Sequence, residues 1–144
     1  MISLTKYREY WQGVAERIEG ITDVLPVTVD KSMGEKIKGL PKGSTSLFIL
    51  PPGAEGAGGV DSFNEKNMCV VFLMAKYDPQ RKTAFELLEE TQPLIEKVKA
   101  VMLEDQAAGC PVMRVEVSSI DTMPETELYG NFAGWSIGFN VKSF

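Results

Sequence analysis

The sequence predicts a single α+β domain spanning residues 1–144, with helices packed on one face of a mainly antiparallel sheet. Three observations carry this. Two segments repeat apolar residues at intervals of three and four, the period of a helix with one buried side. Four others alternate or run apolar over short spans bounded by Gly and Pro, as strands do. Their order is helix, strand, long loop, strand, helix, strand, strand, and strands adjacent in sequence usually pair antiparallel.

The first helix is read over 3–19. Ser3 caps its start, Leu4, Tyr7, Trp11, Val14 and Ile18 form its apolar stripe, and Gly20 ends it. Tyr10 lies off the stripe, partly buried or at an interface. In 21–43, "VLPVTV" has an extended character and "SMGEKIKGLPKG" reads mostly as loop. "TSLFIL" at 45–50 is a strand stopped by Pro51 and Pro52. The next stretch, about 51–67, holds "PPGAEGAGGVDSFNEKN", a composition too poor in apolar side chains to pack, and reads as a flexible Gly-rich loop. Val60 and Phe63 are out of place in such a loop. They either tuck back onto the domain or insert into a partner.

"MCVVFLMAKY" at 68–77 is apolar on both sides, as expected of a strand covered on each face. Thr83 and Glu86 then form a capping box for the main helix, although Asp78-Pro79 offers a start one turn earlier, and Ala84, Leu87, Leu88, Thr91, Leu94, Ile95, Val98, Val101 and Met102 form its continuous stripe. Pro93 should kink it, and Gly109 ends it. "PVMRVEVSS" at 111–119 alternates, with Met113, Val115 and Val117 on one side. A turn-rich piece, "DTMPETELYGN", leads to the closing strand, "NFAGWSIGFNVKSF". There Trp135, Ile137, Phe139 and Val141 should face the helices, while Gly134, Ser136, Gly138 and Asn140 leave the other face low and open to contact.

Composition narrows the function. The apolar content of 44% and charged content of 24% are those of a globular protein. No apolar run approaches the length of a membrane span, and Lys6, Arg8 and Glu9 interrupt any signal-like start, so a cytoplasmic protein is expected. A net charge of −5 without clustered Lys and Arg argues against a nucleic-acid binder. The chain has no histidine, which removes the usual general base, the Ser-His and Cys-His pairs and the commonest metal ligand.

The remaining chemistry is thin. "GEKIKGLPKGS" lacks the Lys-Ser/Thr that a phosphate loop requires after its last glycine, and "GAEGAGG" lacks the dinucleotide spacing. Asp61 with Glu65, or Asp121 with Glu125 and Glu127, are carboxylates in turn-rich sequence without calcium-loop spacing. Cys110 sits at a helix C-terminus, where the dipole disfavours a thiolate. No cofactor, metal or catalytic residue is expected. The competing reading is a small-molecule-binding or enzymatic α+β domain with the Gly-rich loop as a lid over carboxylates.

The order of elements resembles the phage tail-terminator, or tail-completion, family of minor tail proteins. The likeness spans "YREYWQGVAERI", "CVVFLMAKYD", "FELLEETQPLIEKVKAVM" and "MRVEVSSIDTMPETELYGNFAGWSIGFNV". It implies an α-β-loop-β-α-β-β fold and a structural protein without enzymatic activity. It further implies assembly with itself into rings, typically hexamers, that cap the tail tube and meet the head-tail connector. Such a protein would be cytoplasmic during assembly and part of the virion tail afterwards. Subunit or tube contacts are then expected at Val60, Asp61 and Phe63 in the loop, and at Glu125, Glu127, Gly134, Ser136, Gly138 and Asn140 on the closing hairpin.

Overall fold

The computed structural model describes residues 1–28, 38–41, 43–126 and 131–143. Among these, two helices and six strands form one α+β fold: α1 (Leu4–Glu16), β1 (Asp23–Pro26), β2 (Thr45–Ile49), β3 (Gly53–Ala57), β4 (Asn64–Lys76), α2 (Ala84–Ala107), β5 (Arg114–Glu125) and β6 (Phe132–Ser143). The sheet runs β1-β2-β4-β6-β5. Every pairing is antiparallel except β1 with β2.

Local chemistry sets the helix ends as expected. Ser3 Oγ accepts from the Lys6 N–H (3.3 Å) and Thr83 Oγ1 from the Glu86 N–H (3.1 Å). Gly20 and Gly109 follow the helices with positive φ. Pro93 lies inside α2, which continues on both sides of it. The proline has no N–H to offer the Glu89 carbonyl, but Glu89 is exposed and water can take its place.

The main core lies between the helices and one sheet face. Tyr7, Trp11 and Val14 of α1 and Ile95, Val98 and Met102 of α2 pack with Leu47, Cys69, Val71, Leu73, Ile137, Phe139 and Val141. All these strand residues are odd-numbered on β2, β4 and β6, so the helices do cover one face. The expected orientation of β6 therefore holds. Trp135 is half-buried at the margin of this core, and its indole N–H donates to Thr91 Oγ1 (3.1 Å). A smaller cluster of Val27, Phe48, Met74 and Phe132 covers part of the opposite face.

Several expectations need correction. Residues 51–67 are not a loop throughout. β3 pairs with β4 from Gly53↔Met68 to Ala57↔Asn64, which lengthens β4 by four residues at its start. β6 occupies one edge of β4, so β2 and β3 share the other, interrupted at Leu50-Pro51-Pro52. Together they make one long hairpin with β4, and only 58–63 remain as its turn. β4 is covered on both faces only in its second half, where Met74 is buried opposite the helices; in its first half Met68 (50% exposed) and Val70 point away from the helices toward solvent. β5 extends to Glu125, through the first five residues of the supposed turn, and its register shifts between Glu116 and Asp121. That irregularity leaves Val117 exposed instead of in the core beside Val115. Leu4, placed on the α1 stripe by spacing, is 52% exposed.

Candidate functional site

Two surfaces gather the residues singled out by sequence. The first is the tip of the β3–β4 hairpin. Gly58, with φ of +84°, and Gly59 lead into a 3₁₀ turn at Val60–Ser62. Any side chain at Gly58 would fall on the Ser62 carbonyl, so the turn admits only glycine there. Ser62 closes it, donating its N–H to the Gly59 carbonyl (3.1 Å) and accepting the Gly59 N–H at Oγ (3.2 Å). Val60 is 100% exposed, and Asp61 beside it has no ion-pair partner among the described residues. Phe63, 57% exposed, lays its ring over Gly56, where a Cβ would come within 2.9 Å of it. The two apolar residues thus answer differently: Phe63 leans on its own hairpin, and Val60 touches nothing.

The second surface is the sheet face away from the helices. Across β4, β6 and β5 its rungs read Phe72–Ser136–Met123, Val70–Gly138–Asp121 and Met68–Asn140–Glu116. The β6 positions are the low centre of this face, as expected. Their smallness has more than one cause. Gly134 is buried, and a Cβ there would land on the backbone of Leu73 in β4. Its lack of a side chain serves contact within the chain, which corrects its reading as a site for a neighbour. At Gly138 the nearest atom to such a Cβ is the Cys69 carbonyl oxygen at 4.0 Å, so that position is open. Ser136 is buried and donates its hydroxyl to Glu125 Oε1 (2.9 Å). Asn140 is half-buried, and its backbone N–H donates to Ser119 Oγ (2.8 Å). Glu127 lies outside the described residues. Met68, Val70 and Met123, which border the low strip, were not singled out by sequence, because a continuous apolar run and a turn-rich one hid their exposure.

The carboxylates do not converge. Glu65 is held by the N-terminal ammonium of Met1 (3.1 Å), and Asp61 stands apart in the tip. No group of three or more Cys, Asp or Glu side chains with metal-binding geometry occurs among the described residues. Asp105 is the best-satisfied carboxylate. It receives the Tyr10 hydroxyl (2.9 Å) and two bonds from Arg17 Nη1 (2.8 and 3.0 Å), tying α1 to the end of α2. Burial, then the Asp105 hydrogen bond, raises the Tyr10 pKa well above its ordinary value.

Cys69 and Cys110 are both unbridged. Burial pushes the Cys69 thiol up to about 12, so it is a packing residue. Tyr7 is likewise raised by burial, with Cys69 adding to the effect. Cys69 and Trp11 lie close enough to influence the Tyr7 hydroxyl, yet neither meets it with hydrogen-bond geometry. Among the described residues no helix is long and apolar enough to cross a membrane. No protein-family model matches the chain, and no curated protein matches its sequence.

Proposed function

We propose that the protein is a structural component of a phage or prophage tail, similar in role to tail terminators. It assembles with itself into a ring that caps the tail tube and joins it to the head-tail connector. The observation that carries the reading is the hairpin arm. Five residues of β3, all exposed, pair with β4 and hold out a turn whose apolar Val60 contributes nothing to the core. Burying Val60 in a partner would return roughly the 1.5–3 kcal/mol that an aliphatic side chain gains on leaving water. The low strip of β6, bordered by Met68, Val70 and Met123, offers a second apolar surface on the same molecule.

The element order resembling tail terminators supports the same reading. So does the net charge of −5, which suits a channel that DNA passes without adhering. Size-exclusion chromatography with light scattering, with and without tube protein, tests the proposal. The expected result is a discrete closed oligomer that shortens or caps polymerising tubes. A strict monomer at high concentration that leaves tube length unchanged refutes it.

A further inference from the structure

A cleft of about 330 Å³ opens where the N-terminal end of α1 meets the ends of β1 and β2. Leu4, Tyr7, Val27, Leu50 and Pro51 line it with apolar surface, and Arg8 stands in its wall. Arg8 is exposed and has no ion-pair partner among the described residues. The cleft is therefore an apolar recess with a cation in its wall that is unpaired among the described residues. The hairpin tip has the opposite character: a fully exposed Val60 followed by Asp61, the single charge between residues 58 and 63.

We infer that the hairpin tip of one copy seats in the α1–β2 cleft of the next, with Val60 entering the recess and Asp61 meeting Arg8. The inference rests on the ring reading above and names its subunit contact. A tip cannot fill the cleft of its own chain. β3 begins just past Pro51, at the rim of the cleft, and its pairing with β4 carries the turn about 17 Å away at roughly 3.3 Å per residue. Knob and recess are thus different patches at separate places on one molecule. Such a contact is head-to-tail, and head-to-tail contacts close into rings when the rotation between copies divides a full turn. The recess stands near the lower bound of small-molecule pockets and admits one or two apolar side chains. The pairing of acid with base fixes the orientation of the tip more than it adds affinity.

Two variants at exposed positions test this: a blunted tip, Val60→Ser with Asp61→Asn, and an altered cleft, Arg8→Glu. Both should melt within a degree or two of the wild type, since neither touches the core. On light scattering, wild-type protein at about 100 µM is expected to form a closed oligomer, and each variant alone should lose association at least tenfold. Mixed in equal amounts, the variants can build one intact contact and should give a 1:1 heterodimer at twice the 15.9 kDa chain mass. The charge exchange Arg8→Glu with Asp61→Arg in one chain should restore the oligomer. If wild type assembles but both variants assemble equally well, or their mixture yields no heterodimer, this contact is wrong and the ring reading survives. If wild type is a monomer at this concentration and gains no self-association with tube protein, both fall together.

Discussion

Gly134 and Gly138 lie four residues apart on the same strand and the same face, yet the structure gives them opposite roles, and alanine at each separates them. At Gly134 the added methyl meets the Leu73 carbonyl and the adjoining backbone of Met74. These are backbone atoms in the centre of the sheet, paired with β6 on one side and β2 on the other, so they cannot rotate away as a side chain would. Strands β4 and β6 must part locally, and overpacking of that kind costs about 2–3 kcal/mol. At Gly138 the methyl finds open space, and the unfolded chain loses freedom that glycine had given it. That substitution should be neutral or stabilising by up to about 1 kcal/mol. For a chain of 144 residues the unfolding entropy is about 0.3 kcal/mol/K, so the expected shifts are a fall of about 7–10 °C and a rise of 0 to about 3 °C. Urea denaturation followed by tryptophan fluorescence, together with a thermal melt by circular dichroism, reads both. Equal effects at the two positions, or a neutral Gly134→Ala, would refute the assignment of Gly134 to internal packing.

Three further outcomes follow from the core and the thiols. Tyr7→Phe removes a buried hydroxyl without a partner among the described residues and should leave stability unchanged or raise it by about 1 kcal/mol at neutral pH; a loss of about 1 kcal/mol would reveal a hydrogen bond to Cys69 or Trp11. Tyr7 and Tyr10 both have folded pKa values above the unfolded value of 10, so their contribution is fully present below pH 10 and is lost as pH rises beyond it. Alkaline melts should show that decline, and Tyr7→Phe should make it shallower. Trp135→Phe gives up the bond to Thr91 and should cost about 1 kcal/mol, while Trp135→Ala should cost about 2–3, below the range for a fully buried ring because this one is half-exposed. In native protein one thiol, Cys110, should react with an aromatic disulfide reagent well before Cys69, and two fast thiols would contradict the burial of Cys69.

The parts of the fold legible in sequence are those where local pattern and tertiary role agree. The stripe of α2 is buried at Leu87, Thr91, Ile95, Val98 and Met102, and the odd residues of β6 face the helices, because both patterns were generated by one continuous core. β3 was illegible because "GAEGA" has neither β-propensity nor alternation. Its strand conformation comes from the β4 edge left unoccupied beyond Ile49. β1 is four residues long and is held by parallel pairing with β2, a partner about twenty positions away. Val117 obeys the period of its segment and still misses the core, since the register shift after Glu116 turns it outward. The candidate surfaces follow the same rule. Gly138 could be read as open from its neighbours, but Gly134 could not be told from it without knowing how near β4 passes. Leu4 fits the helical stripe, and only the position of its turn at the end of α1 reveals that it lines a cleft.

Val60 is the residue that folding explains least. A turn of this shape needs Gly58 and the Ser62 bonds to the Gly59 backbone, and Val60 adds nothing to either. Its exposure is also not the by-product of a slack segment, since the turn is closed by its own hydrogen bonds on a paired arm. A preformed knob loses little conformational entropy on docking, so more of its burial energy remains as affinity. The prolines at 51 and 52 serve the same end. They separate the part of the hairpin that belongs to the core from the part that reaches beyond it, and neither can donate to a further strand along that edge. In the proposed contact the arm would meet the next copy through this preformed tip, which stands beyond the part of the hairpin packed on the core.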